Sequence, residues 1–116
     1  MKATIILTEG TLHGDPFIYP TKDQKARFMF SYEFENGHYV ISIHSHPSYN
    51  GRNDASNIAH WLPYYKSPIN RKICFTAGKE PKTLQKAKDF SMYWAELTWT
   101  YIRTEVTIDD QLLSRN

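Results

Sequence analysis

Arg27-Phe28-Met29-Phe30-Ser31-Tyr32-Glu33-Phe34-Glu35-Asn36-Gly37-His38-Tyr39-Val40-Ile41-Ser42-Ile43-His44-Ser45-His46 decides the fold, because two alternating runs flank an Asn-Gly pair. A two-residue type I′ turn needs positive φ at both central positions, and Asn-Gly supplies it at least cost. Such a turn also sets the register of the two strands. Glu35 should face His38, Phe34 Tyr39, Glu33 Val40, Tyr32 Ile41, Ser31 Ser42, Phe30 Ile43, Met29 His44 and Arg27 His46. Successive side chains alternate across a sheet, so Phe28, Phe30, Tyr32 and Phe34 share a face with Tyr39, Ile41 and Ile43. That aromatic face is the expected core. The opposite face carries Arg27, Met29, Ser31, Glu33 and Glu35 beside His38, Val40, Ser42, His44 and His46.

Outward from the hairpin, Thr4 to Thr8 is β-branched and apolar and reads as a first strand. Glu9 to Lys25 follows as a long loop containing a short extended piece at Phe17 to Tyr19. After Pro47 comes a turn-rich stretch. Asp54 then suits the N-cap of a two-turn helix ending at Leu62 before Pro63, with Ile58, Trp61 and Leu62 as its buried stripe. Arg71 to Thr76 reads as a fourth strand with Ile73 and Phe75 on one face. Pro81 fits the first position of a long helix running to about Thr104. On that helix Leu84, Ala87, Phe90, Ser91, Trp94, Ala95, Leu97, Tyr101 and Ile102 form an arc that Met92 and Trp99 widen. The arc exceeds what one sheet face covers, so either loops or a second copy must cover the remainder, and a homodimer through this helix is the expectation. Glu105 to Asn116 reads equally as a short strand or a docking segment.

The expected fold is therefore α+β: an antiparallel sheet of about four strands, one long C-terminal helix on its aromatic face, and a short helix after the hairpin. A chain of 116 residues accommodates one such domain, 1-116. A formal charge of +2, from 14 basic and 12 acidic residues, is too even for phosphate neutralisation, which argues against nucleic acid. No apolar run reaches the length of a membrane span or a leader. The single cysteine, Cys74, excludes an intrachain disulfide and points to a cytoplasmic protein.

Chemistry concentrates in two imidazoles at i and i+2, His44 and His46. On a regular strand they lie side by side, as metal ligands must, and Asp54, Glu33, His60 or His13 could supply a third ligand. Asp54 is the best placed, because it follows the same strand after one loop. The same histidines equally suit the solvent face of a hairpin beside Glu33 and Glu35. A Ser/His/Asp set can be drawn from Ser42, His44 and Asp54, but Ser42 lies on a strand without a nucleophile elbow. Tyr49, Tyr64 and Tyr65, near Arg52, Lys66, Arg71 and Lys72, read either as stacking platforms or as a connector packed on the sheet edge, the plainer alternative.

His44-Ser45-His46-Pro47, followed by a loop and a helix start, resembles the first half of the JAMM signature of zinc isopeptidases. The resemblance implies a zinc held by His44 and His46, with Asp54 completing the set and metal-bound water attacking an amide. At the helix start the family expects a serine and, three residues later, the ligand aspartate; Asp54 and Asn57 stand at comparable spacing here. Glu9 is the only glutamate ahead of the hairpin. From the residues themselves the expectation is a small intracellular binding or accessory protein without catalytic activity or cofactor. Its ligand would be a protein or small molecule meeting Arg27, Glu33, His44 and His46; the zinc hydrolase is the alternative.

Overall fold

The computed structural model describes residues 16–114. The strand expected at Thr4 to Thr8 lies outside them, as do His13 and Glu9. Among the described residues five strands form one antiparallel sheet in the order β1-β2-β3-β5-β4: β1 Phe17–Pro20, β2 Arg27–Glu35, β3 His38–Ser45, β4 Trp61–Leu62 and β5 Lys72–Ile73. Helices α1 (Ser56–Ala59), α2 (Leu84–Thr104) and α3 (Ile108–Leu113) complete the α+β fold, with α2 packed across the sheet. No helix among the described residues is long and apolar enough to cross a membrane.

The Asn-Gly turn forms as read, with φ of 55° at Asn36 and 85° at Gly37. From Glu35↔His38 to Phe30↔Ile43 the pairing follows the turn, but the next pair is Met29↔Ser45. His44 is therefore an extra residue in β3, a β-bulge that breaks the two-residue period. Met29 does not face His44, and the ladder between β2 and β3 ends at this pair, so Arg27 does not face His46 and is paired only with Pro20 of β1, on the other edge of β2. Nothing in the apolar alternation marks the bulge.

Phe28, Phe30, Tyr32, Ile41 and Ile43 are buried beneath Ala87, Trp94, Ala95 and Leu97 of α2. Trp94 sets its ring edge-on to Phe28 and Phe30, with centroids 5.8 and 6.1 Å away, and its indole N–H donates to the carbonyl of Ala59 at 3.1 Å. Phe34 departs from the expected core: it is 54% exposed, near the hairpin tip, against only the Tyr39 ring. The extended piece at Phe17 is a strand, β1, at the edge of the sheet among the described residues and locked to α2 where the Tyr19 hydroxyl and the Lys22 N–H both donate to Glu96.

The segment after the hairpin differs most from its reading. The expected two-turn helix is one turn, α1, with no side-chain cap; Trp61 and Leu62 have left it to pair with β5. Asp54 is spent elsewhere, its carbonyl accepting the Trp61 indole N–H at 2.8 Å. The fourth strand is shorter than expected, Lys72–Ile73, joined to β3 at Ser42↔Lys72. Helix α2 starts at Leu84, not at Pro81, because the Thr83 hydroxyl accepts the Lys86 N–H as a cap while the Pro81 carbonyl receives the Tyr39 N–H. The tail is a helix, α3, capped by Thr107 and docked by the Gln111 amide, which donates to the carbonyls of Leu97 and Val106.

Much of the wide arc of α2 is thus covered from within the chain. Tyr101 and Ile102 pack with Tyr49 and Ala59 of the segment after the hairpin, and Ile108 of α3 joins the main core.

Candidate functional site

The polar face of the hairpin is roofed by residues 63–70. Ser67 anchors that segment by donating its hydroxyl to the Ile43 carbonyl at 2.6 Å. The carboxylates of Glu33 and Glu35, two residues apart on one face of β2, receive Lys66 Nζ at 2.6 and 2.8 Å and the Tyr64 hydroxyl at 3.3 and 2.9 Å. Hydrogen bonding from Lys66 holds the Glu35 carboxyl below its ordinary range, and those two carboxylates raise Lys66 in turn. Burial raises Tyr64, whose ring lies 5.3 Å from Lys72 Nζ. Of the tyrosine-rich connector Tyr64 packs on the sheet, as in the plainer alternative, while Tyr65 is 84% exposed and Tyr49 packs against Tyr101 of α2.

Beneath this roof is a cavity of about 380 Å³ lined by Ser31, Glu33, Ser42, His44, Tyr64 and Lys66. Ser31 Oγ lies 2.7 Å from His44 Nε2. Ser42, directly across from Ser31 and only 4% exposed, has a hydroxyl with no hydrogen-bond partner among the described residues. Burial pushes the His44 imidazole below the ordinary histidine value, which keeps it neutral. The folded protein thus resists a proton that the unfolded chain takes up near the ordinary value of 6.5. Stability should decline as pH falls through that value, since the unfolded state then binds more protons. A His44→Gln variant should flatten this acid limb in denaturant titrations; an unchanged slope would assign the loss to other groups.

His46 occupies a different neighbourhood. Its Nδ1 lies 2.7 Å from the Pro47 carbonyl, which can only accept, so Nδ1 carries the proton and Nε2 offers its lone pair. That lone pair meets Arg71 Nη1 at 3.4 Å, while Arg71 Nη2 bonds the Asp54 carboxylate at 3.1 Å. The guanidinium lies over the Trp61 ring, 4.1 Å from its centroid, and Tyr49 sets its ring edge-on to His46. Asp54 does turn back toward His46, with an arginine between them.

This arrangement does not fit zinc. His44 points its Nε2 to a serine, and a permanent cation stands between the other two intended ligands, so the set His44, His46 and Asp54 is not assembled. His60, another candidate, bonds Asp109 of α3 at 2.9 Å. Among the described residues no group of three or more His, Cys, Asp or Glu could hold a metal ion.

No family model matches the chain, and no curated protein or solved structure is similar to it. The resemblance to the JAMM signature rests on its four residues, and the bulge at His44 disperses the two that would ligate.

Of the residues singled out for ligand contact, Glu33 and His44 line the cavity, while His46 sits with Arg71 and Arg27 is exposed at the start of β2. Tyr64 and Lys66 were absent from that set. Two carboxylates at i and i+2 on a strand face did signal the need for a cation, but no spacing rule says which of 14 basic residues arrives from a distant loop.

Proposed function

We propose that this chain is a binding or accessory protein, acting in the cytoplasm without a cofactor, whose ligand is a small uncharged polar molecule held in the cavity over the hairpin's polar face. The observation that carries this reading is Ser42, which lines the cavity and whose buried hydroxyl has no hydrogen-bond partner among the described residues. Leaving such a group unsatisfied costs roughly 1–3 kcal/mol, which a ligand hydroxyl or amide would recover. The charges around it are matched two against two, since Glu33 and Glu35 share the Lys66 ammonium and Lys72 acts on Glu35 as a second cation. A charged ligand would have to break that network. Catalysis is disfavoured because Ser31 and His44 form a pair whose neighbouring carboxylates are occupied by Lys66 and Tyr64, so no third group among the described residues orients the imidazole as a general base requires.

Amide-resolved NMR titration with glycerol, urea and acetamide tests the reading. At least one should shift the amides of Ser31, Ser42 and His44 together, and Ser42→Ala should abolish the effect without loss of stability. Shifts scattered over the surface, or unchanged in Ser42→Ala, would reject it. Stoichiometric zinc retained by tag-free protein and lost in His44→Ala would instead establish the hydrolase.

A further inference from the structure

A second surface lies on the opposite side of the molecule. Between α2, the chain following β5 and α3 runs a groove of about 370 Å³ whose walls include Cys74, Phe75, Phe90, Leu97 and Leu112. Phe90, from the wide apolar arc of α2, is 37% exposed, as is Leu112, and Phe90 meets Phe75 edge-on with centroids 5.1 Å apart. Intrachain packing has therefore buried most of the arc, with Phe90 left exposed and Leu84, Met92 and Trp99 half-buried.

The charges at the two ends of the groove differ in sign. Lys79, Lys82 and Lys86 surround the Phe90 end, where the Glu80 carboxylate is tied to the Gly78 N–H and that of Asp89 to the Gln85 amide. Asp109, which lines the groove and bonds His60, and Asp110, next to it in the first turn of α3, mark the other end. Phe90 and Leu97 are seven residues apart on α2, so the two ends are separated by about 10 Å along the helix. A two-fold axis brings a patch against its own copy in reverse. Apolar centre then meets apolar centre, and each basic end meets an acidic end.

We infer that the strip formed by Phe75, Phe90 and Leu112 is the interface of a homodimer of this chain, with the lysine end of each protomer against the aspartate end of its partner. The polar cavity lies on the far side of the sheet from α2, so the dimer presents both cavities to solvent.

Light scattering at micromolar concentration should give twice the chain mass. Phe90→Glu, at a half-open position that leaves the fold intact by circular dichroism, should weaken association about thirtyfold or more, as expected for a central aromatic anchor. Lys79→Glu with Lys86→Glu should yield one monomeric protein and Asp109→Lys with Asp110→Lys another, and mixing the two should restore a dimer. A monomeric wild type overturns the inference; if Phe90→Glu also lowers its melting temperature, the groove is filled from within the chain. A dimer indifferent to Phe90→Glu, or charge variants that fail to pair on mixing, would place the interface elsewhere.

Discussion

Replacing Trp94 by alanine should lower the unfolding free energy by roughly 3–5 kcal/mol, the range for removing a large ring from a packed core. Three losses coincide. The edge-on contacts with Phe28 and Phe30 disappear, and α2 loses its largest contribution to the buried face of the sheet. The Ala59 carbonyl also loses its donor, which frees the one-turn helix before β4. Trp94→Phe keeps a ring but not the hydrogen bond, and should cost about 1–2 kcal/mol. Urea denaturation of both variants checks the ranking. Equal costs would mean that the indole N–H contact, not the volume, dominates.

Alkali should destabilise the protein nearly as strongly. Burial pushes the Tyr32 phenol up to about 12, only slightly offset by its hydrogen bond with Ser91. Tyr19 is also raised to about 12, first by burial and then by Glu96, and Tyr49 and Tyr64 are raised as well. Below the ordinary value of 10 both folded and unfolded chains keep these protons, so pH has no effect through them. Above it the unfolded chain ionises first, binds fewer protons than the folded one, and is favoured until the folded value is reached. For Tyr32, which is 2% exposed, a rise of this size corresponds to a loss on the order of 3 kcal/mol between pH 10 and 12. Tyr32→Phe should start less stable by about 1 kcal/mol and then lose less over that interval. Parallel pH profiles for the variant and the wild type would show that Tyr32 ionises without unfolding.

How far the chain could be read before its structure depended on the range of the interaction. The turn at Asn36-Gly37, the aromatic face with Phe28, Phe30 and Ile41, and the long helix through Trp94 are products of backbone sterics and side-chain period, and each was legible. Where two local signals competed, the reading slipped. Pro81 favoured a helix start, but the Thr83 hydroxyl caps Lys86 and the Pro81 carbonyl serves Tyr39 of the hairpin. Asp54 looked like a cap, yet its carboxylate gains more from Arg71, and Trp61 leaves the helix to complete an edge strand.

The candidate site depended on contacts between residues far apart in sequence. Two imidazoles at i and i+2 on an even strand must share a face, and the sequence by itself determined that expectation along with the fold class. One extra residue in β3 separated them, sending His44 to Ser31 and His46 to Arg71. Likewise, only folding brought Lys66 and Tyr64 over Glu33 and Glu35 and left the buried Ser42 hydroxyl without a partner among the described residues. Period and turn chemistry act over a few residues and are written locally. A bulge, an ion pair across thirty residues and an orphaned hydroxyl arise from how the whole chain closes on itself, and tertiary packing alone decided them.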